Sequence, residues 1–108
     1  MLDCSRNRVY TVDFIKSILL KTALTGFNLL MLYTEDVYEL PGEPAFGYMR
    51  GRYTAEEIRE IDRYAKRLGI EVTACIQTLG HLEHLFTHYQ YSGIRGFVHA
   101  VRECPRRF

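Results

Sequence analysis

Two adjacent acids, Glu35 and Asp36, directly follow the apolar stretch NLLMLY and a single threonine. A buried strand excludes charge, so these carboxylates either turn into solvent at the strand end or point at a polar partner. Polar residues follow two other apolar stretches in the same way. Asp3 and Arg6 come just after the first residues, and residues 77–81 come after the stretch IEVTACI. One such group alone is typical of a solvated loop, but three predict a site that closes around a polar ligand.

Three histidines offer a different chemistry, that of a metal site. His81, His84 and His88 in HLEHLFTH are spaced by three and four residues, so one helix face would carry all three. Such imidazoles can bind zinc, with Glu83 nearby as a base or an outer partner. The spacing differs from that of HExxH, and the residues around it sustain a helix poorly. Zinc binding is therefore an alternative, and the main prediction includes no metal or other cofactor.

The elements that would position these residues begin with a helix and a strand. Apolar residues at helical spacing predict a helix over residues 11–25, which Gly26 ends. Residues 27–33 are continuously apolar, which predicts a strand covered on both faces, as in a parallel sheet. The first residues, MLD, resemble the end of another strand.

A second helix and strand follow with clearer boundaries. Thr54 and Glu57 form a capping-box pattern at the start of the helix, and Gly69 ends it. Residues 70–76 predict another strand, and residues 36–53 predict a loop punctuated by proline and glycine. This order predicts an α/β fold with a parallel sheet and helices outside it. Ligands bind at the carboxyl ends of parallel strands, which is where all three polar groups fall.

The composition is that of an ordinary globular domain. The 108 residues are 47% apolar and 25% charged with a net charge of +1, which predicts neither a nucleic acid nor a membrane partner. No apolar run approaches the roughly 20 residues of a membrane span, and MLDCSRNR does not resemble a signal peptide. Three cysteines without a CxxC pair indicate neither a disulfide framework nor a zinc knuckle. We therefore expect a cytoplasmic protein with reduced thiols.

Four segments carry a resemblance to a known family: LDCSRN, GFNLLMLYTEDVYEL, GRYTAEEIREIDRYAKRLGIEV and CIQTLGHLEHL. In this order and separation, over residues 1–86, they resemble glycoside hydrolase family 20, the β-N-acetylhexosaminidases. The resemblance implies part of a TIM (β/α)8 barrel. It also implies removal of terminal β-linked N-acetylglucosamine or N-acetylgalactosamine by a substrate-assisted retaining mechanism. In that mechanism the sugar's acetamido oxygen attacks the anomeric carbon and forms an oxazoline-like intermediate.

The resemblance also implies roles for four residues. Arg6 matches an arginine that grips the 3- and 4-hydroxyls of the sugar, a task that suits its planar fork. Glu35 matches the first acid of an Asp-Asp pair with a supporting catalytic role, and Asp36 is assigned to substrate binding. His81 in TLGH matches the histidine of a PGH motif, which acts with the first acid on the pKa of the general acid. Leu79 departs from the proline of that motif.

The family's adjacent Asp-Glu catalytic pair follows the fourth barrel strand, and no such dipeptide occurs in these 108 residues. We expect the first three β/α units of a barrel in residues 1–86. Residues 87–108 would form a divergent tail, disordered or frameshifted, in a truncated gene product. Such a chain would bind a carbohydrate weakly, would not hydrolyse it, and would self-associate through open sheet edges. A non-catalytic α/β carbohydrate-binding module is the other alternative.

Overall fold

The computed structural model describes residues 1–6, 9–76 and 88–94, the last three of these by backbone alone. Strands and α-helices alternate along the chain, and a 3₁₀ helix follows them. The elements in order are β1 (Leu2–Asp3), α1 (Val12–Leu24), β2 (Leu29–Tyr33), α2 (Ala55–Arg67), β3 (Glu71–Cys75) and the 3₁₀ helix Tyr89–Ile94.

The three strands form one parallel sheet in the order β1-β2-β3, as the alternation of helix and strand predicted. Asp3 of β1 pairs with Tyr33 of β2, and Tyr33 pairs with Cys75 of β3. These three residues are the last of their strands, so the carboxyl ends of all three strands are level with one another. Neighbouring strands lie about 4.8 Å apart, so side chains that follow them share one narrow edge of the sheet.

Each helix begins and ends where its local sequence signals predicted. Thr11 caps α1 by accepting a hydrogen bond from the backbone of Phe14, and Thr54 and Glu57 form the complete capping box of α2. Gly26 and Gly69 each follow a helix C-cap with a paired set of turn hydrogen bonds typical of a Schellman motif. These signals act over a few residues, so they can be recognised from the sequence alone.

The core lies between the two helices and one face of the sheet. Ile15 and Leu19 of α1 meet Ile61 of α2 over Leu30 and Leu32 of the central strand, and all five are buried. Leu30 and Leu32 are two residues apart, so they point to the same face of the sheet. Both helices therefore cover the same side, as right-handed β-α-β crossovers require.

The opposite face of β2 differs from our expectation of a strand covered on both sides. Leu29 remains 49% exposed, because within the described residues the two α-helices pack only on the face of Leu30 and Leu32. Phe14 of α1 is also exposed and stacks on Tyr10 with 4.7 Å between ring centroids. In the part of the chain that is described, no helix is long and apolar enough to cross a membrane.

The loop from β2 to α2 is closed at its base. Tyr38 and Tyr53 form an isolated bridge, and the Glu39 backbone N–H donates to the Tyr53 carbonyl at 2.9 Å. The 3₁₀ helix contacts this loop through Tyr91, whose hydroxyl donates to the carboxylate of Glu43. The division of the chain between residues 86 and 87 stays a prediction.

Candidate functional site

Glu35 and Asp36 turn inward at the end of β2. They are 8% and 5% exposed, so neither is the solvated start of a loop. Glu35 has a φ of +46°, a left-handed backbone conformation that costs an ordinary residue about 1 kcal/mol or more. The chain thus turns sharply after the strand and directs two adjacent carboxylates into the protein.

Arg50 is the polar partner at which these acids point. Its Nη1 lies 2.6 Å from Asp36 Oδ1 and 3.6 Å from Glu35 Oε2. Its Nη2 donates a hydrogen bond to the backbone carbonyl of Ser5, just beyond the end of β1. One guanidinium therefore joins the ends of two neighbouring strands to the loop that carries it.

Glu35 is also held from within its own strand. The hydroxyl of Tyr33 donates a hydrogen bond to Glu35 Oε1 at 3.0 Å. Tyr33 and Glu35 are two residues apart, and the turn at Glu35 brings its carboxylate back to the tyrosine hydroxyl. One carboxylate oxygen thus meets a phenol and the other meets the guanidinium of Arg50.

Asp3 and Ser5 form a second polar group at the end of β1. Asp3 Oδ1 accepts hydrogen bonds from the backbone N–H of Ser5 at 2.9 Å and from its hydroxyl at 2.8 Å. Partial burial raises the pKa of Asp3, but the Ser5 hydrogen bonds and the charge of Arg6 outweigh it and lower the pKa below its ordinary value. Asp3 is therefore an anchored carboxylate that stabilises the turn after β1.

Arg6 lies at the same edge of the sheet but is open to solvent. Its side chain is 66% exposed, and its Nε lies 3.8 Å from Asp3 Oδ2. This contact is loose, and exposed ion pairs of this kind contribute little to stability. The guanidinium therefore presents hydrogen-bond donors that a ligand can reach.

The loop reaches the acids because of a glycine. A Cβ at Gly47 would lie 2.2 Å from the backbone oxygen of Asp36, so a side chain at this position would collide with the turn after β2. Gly47 also has a φ of +65°, which glycine adopts at low cost. Beside it, Arg52 donates to the carbonyl of Phe46 at 2.9 Å. The close approach of Gly47 to the turn after β2 lets the loop bring Arg50 into ion-pair range of Asp36 and Glu35.

Most of the remaining predicted site residues lie outside the described residues. His81, which we assigned a supporting catalytic role, and His84 of the alternative zinc site both belong to residues 77–87. His88 is described, and its ring lies edge-on to Tyr48 with 5.9 Å between centroids. The ranges 1–6, 9–76 and 88–94 contain no group of three or more metal-ligating side chains. The roles of His81 and of the histidine cluster stay predictions.

Arg50, Tyr33 and Ser5 were not predicted from the sequence as parts of the site. The signal that could have revealed Arg50 is the acid pair itself, since two buried carboxylates require a cation. The loop contains both Arg50 and Arg52, and no periodicity distinguishes them. Only the path of the loop decides that Arg50 meets the acids.

Two apolar grooves border α2, and both reach Thr34, the residue before the acid pair. The larger has a volume of about 380 Å³ and is lined by residues that include Tyr38 and Tyr53. The other, of about 240 Å³, lies between α2 and the sheet. Neither is lined by Glu35 or Arg6.

Comparison with known proteins shows which family the chain resembles. Beta-hexosaminidase 1 of Arabidopsis thaliana is 34% identical to the chain in an alignment that covers 82% of this chain and 18% of that protein. A chitobiase of Flavobacterium johnsoniae matches with a TM-score of 0.74 and 31% identity, over 83% of this chain and 15% of that one. Over about four-fifths of its length, the chain is similar to part of the glycoside hydrolase family 20 β-N-acetylhexosaminidases. A β-N-acetylhexosaminidase of Bacteroides fragilis is similar, with a TM-score of 0.71 and 29% identity, over 83% of this chain and 21% of that one.

The likeness to family 20 confirms the predicted fold class. Three parallel strands and two helices match part of the TIM barrel of these structures. The chain spans about a fifth or less of the length of the relatives it matches. No protein-family model matches it. The relatives named above are hexosaminidases and a chitobiase.

Proposed function

We propose that this chain supplies part of the sugar site of a β-N-acetylhexosaminidase. In this proposal Arg6 binds neighbouring hydroxyls of a terminal N-acetylhexosamine, and Glu35 with His81 supports the catalytic acid. Asp36 contributes to substrate binding at the same edge. The observation that supports the proposal is the exposed guanidinium of Arg6 and the buried carboxylate of Glu35 at adjacent strand ends.

Arg6 is suited to a sugar because its donors are accessible and it follows a strand end whose backbone is held in place. The backbone of β1 is paired to β2 up to the residue Asp3, and the Cys4 N–H continues this pairing to Tyr33 at 2.8 Å. Arg6 follows two residues later with a side chain that has only a loose ionic contact. A planar guanidinium can donate to two neighbouring hydroxyls at once, which a lysine cannot do in the same geometry.

Glu35 is suited to a supporting role because its carboxylate is held at a defined position. In the substrate-assisted mechanism, the acetamido oxygen forms a bond to the anomeric carbon while the bond to the leaving oxygen breaks. A general acid gives that leaving oxygen its proton. A fixed carboxylate nearby stabilises the protonated form of a neighbouring acid and so acts on its pKa.

The general acid itself belongs to an Asp-Glu pair that these 108 residues do not contain. We therefore expect the chain to bind N-acetylhexosamines without hydrolysing their glycosides. Glu56 and Glu57, the other adjacent acids, start α2 and serve its cap and its surface ion pairs. They offer no substitute for the missing pair.

The test is an NMR titration of the full chain with N-acetylglucosamine, with N-acetylgalactosamine and glucose as further probes. Arg6→Ala should weaken binding of both N-acetylhexosamines by roughly tenfold, the effect of one lost charged hydrogen bond. Arg59→Ala is the matched control, since Arg59 is 65% exposed and has a similar acidic neighbour but lies on α2. Absence of binding, or equal weakening by the two substitutions, would overturn the proposal.

A further inference from the structure

We propose that Arg50 is a positioning residue that holds the carboxylate of Glu35 in place at the edge of the sheet. The catalytic meaning of this position rests on the proposed function of Glu35. The positioning itself rests on geometry within this chain: one guanidinium contacts Asp36, Glu35 and the carbonyl of Ser5.

The contacts of Arg50 determine the orientation of its guanidinium plane. Nη1 faces the two acids after β2, and Nη2 faces the carbonyl of Ser5 after β1. A planar group with partners on two of its nitrogens cannot rotate without breaking one contact. The side chain is also 18% exposed, so water competes little for these donors. Arg50 is therefore a fixed cation between two strand ends.

The charge of Arg50 makes the burial of both acids tolerable. Two adjacent carboxylates with little access to water repel one another, and each loses hydration on burial. Arg50 lies in ion-pair range of both. Its shorter contact, to Asp36, anchors the guanidinium, and the longer one, to Glu35, then directs that carboxylate. Asp36 acts in this arrangement as the anchor for Arg50.

The backbone of Glu35 requires such a hold. With a φ of +46°, this residue has a conformation that it would leave if its side chain were released. Tyr33 holds one carboxylate oxygen at 3.0 Å, and Arg50 approaches the other at 3.6 Å. Loss of Arg50 should therefore loosen Glu35 and disturb its hydrogen bond with Tyr33, even while the rest of the chain stays folded.

A purely structural role for Arg50 makes a different prediction. An arginine that only ties the loop to the sheet would affect stability when replaced, and would leave the Tyr33 phenol and sugar binding of the folded protein unchanged. Arg52 provides the matched control. It lies in the same loop and donates to the carbonyls of Pro44 and Phe46.

The first measurement is the ¹³Cζ chemical shift of Tyr33 in the full chain labelled at tyrosine and assigned with Tyr33→Phe. Glu35→Gln marks the shift expected when the carboxylate partner is changed. Arg50→Gln should move the Tyr33 signal towards that value, Arg50→Lys should move it part of the way, and Arg52→Gln should leave it unchanged. An unchanged Tyr33 signal in folded Arg50→Gln or Arg50→Lys would overturn the proposal.

Two further measurements separate this proposal from the proposed function. Arg50→Gln should weaken N-acetylglucosamine binding by roughly tenfold, and Arg52→Gln should not. If the unsubstituted chain binds no sugar, the proposed function fails, and the Tyr33 signal still decides the position of Glu35. If the substituted chains do not fold, the ¹⁵N signals of the Arg50 guanidinium in the unsubstituted chain show whether its rotation is restricted. Restricted rotation supports the proposal, and freely averaged Nη signals overturn it.

Discussion

Arg50 Nη1 lies 2.6 Å from Asp36 Oδ1, although the two residues are 14 positions apart in the chain. The intervening loop is closed at its base and returns to the strand end from which it started. This ion pair explains why two acids follow an apolar strand directly. They are partners of a cation that the loop delivers, and the same cation reaches Glu35.

We predict energetic coupling between Arg50 and Asp36. Arg50→Gln and Asp36→Asn should each lower the free energy of unfolding by about 2 kcal/mol, because each leaves a poorly hydrated charge without its partner. The double variant should cost less than the sum, with a coupling energy of roughly 1 to 3 kcal/mol in urea unfolding at low protein concentration.

The same double-variant cycle on the surface pair Glu56 and Arg59 is the control. Both side chains are about two-thirds exposed, so their coupling should stay below about 0.5 kcal/mol. Additive effects of Arg50→Gln and Asp36→Asn would show that the contact is not energetically significant.

The capping box of α2 predicts a stability effect at Thr54. Its hydroxyl accepts from the Glu57 backbone N–H at 3.1 Å, and Glu57 Oε2 accepts from the Thr54 N–H at 2.8 Å. Thr54→Ala should lower the free energy of unfolding by about 1 kcal/mol, measured by urea titration. Thr11→Ala should cost less, because the corresponding contact at α1 is longer, at 3.3 Å, and lacks the reciprocal bond. An equal or larger effect at Thr11 would contradict this ranking.

Tyr53 predicts a loss of stability at alkaline pH. Burial raises the pKa of its hydroxyl above the ordinary value, and the neighbouring Cys4 raises it further. The hydroxyl donates a hydrogen bond to the Tyr10 carbonyl at 2.7 Å. The unfolded chain loses this proton near pH 10, whereas the folded chain keeps it. The contribution is therefore present below about pH 10 and is lost as the pH rises above it.

Tyr53→Phe tests this pH dependence. It should cost about 1 kcal/mol at neutral pH, because the Tyr10 carbonyl loses its donor, and it should flatten the decline of stability between about pH 10 and 11. Unfolding by urea across this range provides the measurement. Tyr89→Phe is the control, since Tyr89 is exposed and should leave the decline unchanged. An equally steep decline in Tyr53→Phe would contradict the assignment.

Asp3 predicts a loss of stability in acid. Burial raises its pKa, but the Ser5 hydrogen bonds and the Arg6 charge together lower it by more, so the pKa in the folded chain lies below that in the unfolded chain. Its stabilising contribution is present above the unfolded value of about 4 and is lost as the pH falls through the folded value. Asp3→Asn should reduce the pH dependence of urea unfolding between about pH 5 and 2. Glu71→Gln, at an exposed position, is the control, and equal slopes in the two variants would count against Asp3.

Self-association is a further prediction for the chain made alone. Within the described part, β1 and β3 each have one unpaired edge, and an apolar groove lies between α2 and the sheet. Such edges and apolar surface favour association. Sedimentation should show oligomers that diminish in Ala74→Lys, which puts a charge into the groove lining. A sharp monomer peak together with a cooperative thermal transition would refute the prediction.

Local signals account for what could be predicted of the fold. Thr54, Gly26 and Gly69 bound their helices as expected, because caps act through hydrogen bonds within one turn. Thr11, predicted as the first residue of α1, is its N-cap. The strand predicted at 27–33 begins two residues later, at Leu29, and the strand predicted at 70–76 is one residue shorter at each end. Pairing with a neighbouring strand decides where a strand begins and stops.

The sequence by itself determined the β-α-β-α-β order, the helix limits and the position of Glu35 and Asp36 at a strand end. Periodicity and caps carry that information because they involve neighbours along the chain. Only the tertiary structure decided which cation meets the acids. Arg50 contacts the Ser5 carbonyl across 45 positions of sequence and Asp36 across 14. Those contacts depend on the route of the β2 to α2 loop and on strand register, which bring together residues that no local pattern relates.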